Sequence, residues 1–194
     1  MYKRQISHYE QRSKTQPGKA LIVGMSREIC ARLYNEIVAL KPEWKDEDHM
    51  KGSIKVVMTA SASESELLQH HQTNKQQKKD LENRFKDPND PLKIVLVRDM
   101  WLTGFDAPCL ATMYVDKPMK GANLAQAIAR VNRVFKDKPG GLIVDYIGIA
   151  PQLKEALATY TAAKGKGKPT LDTSEAVRIC LLYTSDAADE VLGV

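Results

Sequence analysis

LKIVLVRDMWLTGFDAPCL, Leu92 to Leu110, changes character after its sixth residue. Residues 92–97 form a short apolar run rich in β-branched side chains, which reads as a buried strand. Residues 98–110 mix charges, aromatics, a glycine and a proline, a turn-forming composition. Gly104 permits a turn or a close backbone approach to a ligand. Asp106, two residues before Pro108, offers a carboxylate suited to a ribose hydroxyl, and the Thr103 hydroxyl suits a phosphate. The same residues also fit an ordinary turn in which Asp106 satisfies local amides.

Outward from this stretch, strand and helix signals alternate. KALIVG (19–24) reads as a strand, and Ser26 is placed to N-cap a helix over 27–40, where Ile29, Leu33, Ile37 and Leu40 recur at helical spacing before Pro42. IKVVMTA (54–60) is a second strand. Residues 61–86 are polar with helical stretches that stop before DPNDP (87–91). ATMYVD (111–116) and GLIVDYI (141–147) complete five strands, with a helix over 121–135 between them. Short apolar strands separated by helices predict an α/β fold, an open, mainly parallel sheet with helices on both faces. Ligands in such sheets bind beyond the carboxyl ends of the strands, so the loops after residues 24, 59, 97 and 115 are expected to carry function. A helix over 151–163 and a basic segment, Lys164 to Lys168, read as the start of a following region.

The helix contains QAIARVNRVF, Gln126 to Phe135. On a helical wheel Leu124, Ile128, Val131 and Phe135 make a core-facing stripe. Gln126, Arg130 and Arg133 fall together on the opposite side with no acidic residue among them. Two arginines one turn apart suit a phosphate, which they grip with charge-assisted hydrogen bonds. A solvated basic face, or pairing with Asp106 or Asp145, fits the same pattern.

Composition narrows the class without choosing a function. The 194 residues are 43% hydrophobic and 27% charged, with a net charge of +5, values of a soluble globular protein. The mild basicity is compatible with nucleic-acid contact. Cys30, Cys109 and Cys180 are far apart and have no metal-ligand spacing, so free thiols in a reducing, cytoplasmic compartment are expected, and no metal site. No apolar run approaches the roughly 18 residues of a membrane span.

Both termini resemble translated sequencing adapter. CLLYTSDAADE (180–190) fits a frame through one strand of a common transposon adapter, and MYKRQ (1–5) fits the opposite strand. The expected organisation is 1–5 adapter, 6–150 one α/β domain, 151–179 the start of a helical region, and 180–194 adapter.

Taken together, the motifs resemble a known family. A Thr-Gly-Phe-Asp loop (103–106) followed by Gln126-x-x-x-Arg130-x-x-Arg133 looks like motifs V and VI of superfamily 2 helicases, which lie in the second of two RecA-like motor domains. VVMTASASE, KDPNDPLKIVLVRDMWLTGFDAPCLATMYVDKPMKG and QAIARVNRVFKDKPGGLIVDYIGIA are similar to the motor (R) subunit of type I restriction endonucleases, over roughly residues 8 to 165. Ala129 stands where many superfamily 2 proteins have glycine. The resemblance implies a RecA-like helicase C-terminal domain of an ATP-dependent double-stranded DNA translocase. It works with DNA methyltransferase and specificity subunits. Arg130 and Arg133 would be the catalytic residues, reaching ATP held with Mg²⁺ mostly by a first motor domain. Gln126 would orient them, and Gly104 and Asp106 would touch the nucleotide. Ser26, Arg27, Thr59, Ser61 and Thr103 would contact the DNA backbone.

The chain lacks G-x-x-x-x-G-K-[ST], since Lys19 in QPGKAL precedes a strand and has no following Ser or Thr. It also lacks a strand-end Asp-Glu pair for Mg²⁺ and a nuclease carboxylate cluster. It is therefore expected to be inactive alone, as one wall of a shared ATP site. Another superfamily 2 motor would share the loop and the arginine helix but not the long flanking strings, and a non-enzymatic nucleic-acid- or nucleotide-binding α/β module would carry the basic helix without a catalytic use for it.

Overall fold

All six residues of Lys19–Gly24 are buried, as a strand at the centre of a sheet must be. In the computed structural model, which describes residues 2–59, 61, 63–102, 104–133, 135, 140–148 and 151–152, this strand (β1) lies in the middle of five. The others are β2 (Ile54–Val57), β3 (Ile94–Val97), β4 (Leu110–Asp116) and β5 (Leu142–Asp145). Their order is β2-β3-β1-β4-β5 and every pairing is parallel. The described helices are α1 (Tyr2–Thr15), α2 (Arg27–Leu40), α3 (Glu66–Gln69), α4 (Lys75–Lys86) and α5 (Gly121–Val131). The expected parallel α/β architecture is present.

Alternation along the strands divides the core in two. Ala20, Ile22, Ile94, Leu96 and Tyr114 face α1, α2 and Trp44. Leu21, Val23, Val95, Val97, Met113 and Val115 face α4, α5 and the 98–109 segment. That segment carries the chain from β3 across β1 to β4 with no helix among its described residues, burying Trp101, Leu102, Phe105, Ala107 and Cys109. Trp101 takes a left-handed backbone (φ 67°), costly for a bulky side chain. Its ring stacks on Phe105 at 4.4 Å and lies 5.5 Å from Phe85, which holds it there.

Several boundaries differ from the sequence expectations. α5 stops at Val131 rather than 135, because the chain must turn back into β5. A side chain at Gly141 would strike Val131, so the helix end and the strand start are in direct contact. On α2 the buried residues are Cys30, Ala31, Tyr34 and Ile37, whereas Ile29 and Leu40 are exposed. The stripe is rotated by about one residue, and Gly24 leaves the room that the Cys30 sulfur takes up. Helix α1 was not anticipated. It overlaps the MYKRQ stretch and buries Gln5, whose two amide atoms have no hydrogen-bond partner among the described residues, along with Ile6 and Tyr9. The 151–163 helix is described only at residues 151–152, where it is helical. Residues 153–194 lie outside the described residues.

His71 packs edge-on against Tyr34, with ring centroids 4.8 Å apart. Burial first, and the neighbouring His70 second, push its pKa down to about 4 from 6.5. Between those values the unfolded imidazole takes up a proton that the folded one refuses. Stability is therefore expected to rise as pH goes from about 4 to 6.5 and to show no further change from this residue above that. Urea midpoints across this range check it, and His71→Gln should flatten the rise.

Candidate functional site

The residues singled out by sequence fall into two groups at opposite ends of the sheet. The first lies where β1, β2 and β3 end. Ser26 caps α2, its hydroxyl accepting from the Ile29 amide at 3.1 Å. One residue on, the Arg27 guanidinium donates to the Thr59 carbonyl and, through both terminal nitrogens, to the Glu64 carboxylate. Glu64 also accepts from the Ser61 amide at 2.7 Å, and the Ser61 and Ser63 hydroxyls are 3.0 Å apart. Ser26, Arg27, Thr59 and Ser61 are thus gathered across the end of β3. Beside them Lys117 and Arg98 both pair with Asp99, and Arg98 donates to the Met25 carbonyl at 3.4 Å. Thr103 lies outside the described residues.

The second group contains Asp106 and Arg133, and the chain path puts it elsewhere. The 98–109 segment leaves the carboxyl end of β3 and crosses the sheet. By Phe105 it packs 6.0 Å from Phe85, a ring that lies 5.6 Å from the amine of Lys19, the first residue of β1. Asp106 therefore lies towards the amino ends of the strands. α5 runs back from β4 and delivers Arg133 to the same side. This corrects the expectation that the functional loops gather at the carboxyl ends. Arg133 has also left the helix, so periodicity no longer groups it with Arg130.

Arg133 Nη1 lies 3.2 Å from Asp106 Oδ2, with the two side chains 44% and 45% exposed. The arginine patch is therefore not free of acidic partners, as the sequence suggested. Of the two carboxylates considered, Asp106 is the partner. Asp145 instead accepts from the Ile147 and Gly148 amides at 2.9 and 3.1 Å. Asp106 does not satisfy local amides either, since its Oδ1 is buried with no hydrogen-bond partner among the described residues. Arg130 Nε is likewise buried and unpartnered among them. Gln126 is exposed on α5, and Gly104 is exposed at φ 69° with open space where a side chain would start. The pair spans 27 positions and brings together the two stretches that carried the motif resemblance. A half-exposed ion pair of this kind is worth about 0–1 kcal/mol.

Glu64, Asp99 and Lys117 were not singled out by sequence. Glu64 sits in a polar SASESE run, and only the fold reveals its distant partner. Among the described residues no group of three or more His, Cys, Asp or Glu could hold a metal ion. No described helix is long and apolar enough to cross a membrane.

Comparison with known proteins agrees with the family expectation. Residues 5–148 match the family profile described as type I restriction enzyme subunit R domain 3. The type I restriction enzyme HindI endonuclease subunit of Haemophilus influenzae is 58% identical over 166 residues, covering 84% of this chain and 16% of that protein. A putative type I restriction enzyme MjaIXP endonuclease subunit of Methanocaldococcus jannaschii is 48% identical over 162 residues, covering 83% and 15%. The chain therefore spans about a sixth of the length of these relatives. A solved fragment of a putative HsdR subunit of a type I restriction enzyme from Vibrio vulnificus aligns with a TM-score of 0.47 at 18% identity, over 75% of this chain and 27% of that one. With a matched profile over most of its length and two relatives near half identity, the chain belongs to the type I restriction enzyme subunit R domain 3 family.

Proposed function

We propose that the chain is the second RecA-like motor domain of an ATP-dependent double-stranded DNA translocase within a type I restriction endonuclease, acting beside DNA methyltransferase and specificity subunits. The observation that carries this reading is the meeting of Asp106 and Arg133 at 3.2 Å, with Arg130 Nε, on the last turn of α5, unpartnered among the described residues. Two guanidinium groups beside a carboxylate suit a bound nucleotide. The arginines stabilise charge on the transferring phosphoryl group, and Asp106 with Gly104 meets the ribose side. Gln126, one turn before Arg130, orients that contact. ATP and its Mg²⁺ are held mainly by the first motor domain. Ser26, Arg27, Thr59 and Ser61 meet the DNA backbone at the opposite end, where hydroxyls and a guanidinium bind phosphate without reading sequence, and Thr103 is a further backbone contact. A translocating motor needs that indifference.

The test is DNA-stimulated ATP turnover by the full-length subunit with Arg130 or Arg133 replaced. Loss of turnover with DNA binding retained supports the reading, and the reverse pattern refutes it. The 194-residue chain by itself is expected to show no DNA-stimulated ATPase, because it has no Walker lysine and no acidic pair for Mg²⁺. A phosphate-release assay on the purified chain checks this.

A further inference from the structure

Glu64 occupies Arg27 in a way that a DNA phosphate could reproduce. Its carboxylate takes both terminal nitrogens of Arg27 and the Ser61 amide, and the same loop carries the Ser61 and Ser63 hydroxyls, 3.0 Å from each other. A guanidinium fork, a backbone amide and hydroxyls are the donors that hold a phosphodiester oxygen. The pair is partly open to solvent, with Arg27 35% and Glu64 21% exposed. The arrangement is non-local, joining the start of α2 to the loop after β2 across the end of β3, so it is built by the fold. The geometry points to Glu64 as an internal stand-in for a DNA phosphate, a competitor that Arg27 and the Ser61 amide must release before they grip the backbone. This rests on the proposed DNA-contact role of Arg27 and Ser61 and adds a regulator to that site. A motor must let go of each phosphate as it steps, and a carboxylate that recaptures the arginine keeps the grip weak.

Glu64→Gln tests this, because the amide oxygen still accepts from Arg27 and Ser61 while the competing charge is gone. In the full-length subunit, affinity for a duplex lacking the recognition site should rise about two- to fivefold, the scale of a partly exposed ion pair. The slope of log affinity against log salt should steepen by about 0.9, one more phosphate neutralised. Both gains should vanish when Arg27→Ala is added. Unchanged or weaker binding by Glu64→Gln, or a gain that survives Arg27→Ala, overturns the inference. So does displacement of the duplex by inorganic phosphate beyond the effect of chloride at equal ionic strength, which would make this a free-phosphate site. ATP turnover in Arg130→Ala, measured alongside, separates the two ideas. If turnover collapses there while Glu64→Gln changes nothing, the motor reading stands and only the role of Glu64 falls.

Discussion

Arg133→Ala in the full-length R subunit is expected to lower DNA-stimulated ATP turnover about 10³-fold while leaving duplex affinity nearly unchanged. The two effects differ in size because, on the proposed reading, the arginine has two partners of very different worth. Its intrachain partner, Asp106, is half exposed, so losing that contact costs the fold about 0–1 kcal/mol. A transferring phosphoryl group in a closed, water-poor cleft gains far more from the same guanidinium. Arg130→Ala should behave similarly. Its Nε is already unpartnered among the described residues, so truncation removes a buried orphan donor rather than a structural bond. Lysine at 133 keeps the charge but not the planar fork, and should recover only part of the lost turnover. Steady-state phosphate release with saturating duplex, beside a direct binding titration, gives both quantities. If either alanine variant bound DNA weakly and turned over ATP normally, the arginines would be a phosphate-tracking surface.

What the sequence made legible was local. The limits of β1 and α2, and Ser26 as the cap between them, follow from one apolar run, one periodic stretch and one short polar side chain. The parallel sheet followed from repetition of that unit. The strand order did not, because nothing within β3 indicates that β1 separates it from β4. The end of α5 was misplaced for a similar reason. Asn132 and Arg133 are compatible with a helix, and the contact that stops it is made by Gly141, ten residues beyond Val131. That misplacement put Arg133 in the wrong company. On a continuous helix it joins Arg130 in a patch without acids, and off the helix it meets Asp106. The candidate residues were thus chosen by kind, but their pairing and the end of the sheet they occupy are tertiary facts. Arg27 illustrates the same limit, since its partner Glu64 lies 37 positions away in a run with no distinctive signal.

The largest stability effect is expected at Arg84, which has no direct part in the proposed chemistry. It is 4% exposed, on the last turn of α4. Its guanidinium donates to the His49, Lys51 and Gly52 carbonyls at 2.6, 3.0 and 2.9 Å and pairs with Asp90 at 3.0 Å. One planar fork thus ties the 49–52 loop, which leads into β2, to the 87–91 turn, which leads into β3. Its own carbonyl accepts from Lys19 at 2.6 Å, anchoring the start of β1 to the same point. Arg84→Ala leaves three carbonyls short of a donor and the mostly buried Asp90 without its cation. Breaking a buried charged network in this way costs about 3–5 kcal/mol. Lysine cannot substitute, because three tetrahedral donors do not match a fork that serves three carbonyls and both Asp90 oxygens. Arg84→Met fills the volume but should recover little, since the carbonyls remain unpaired. Urea denaturation of the three variants against the parent chain measures the difference. A loss below about 1 kcal/mol for Arg84→Ala would mean that water replaces the guanidinium, and that β2 and β3 are held in register by their ladder alone.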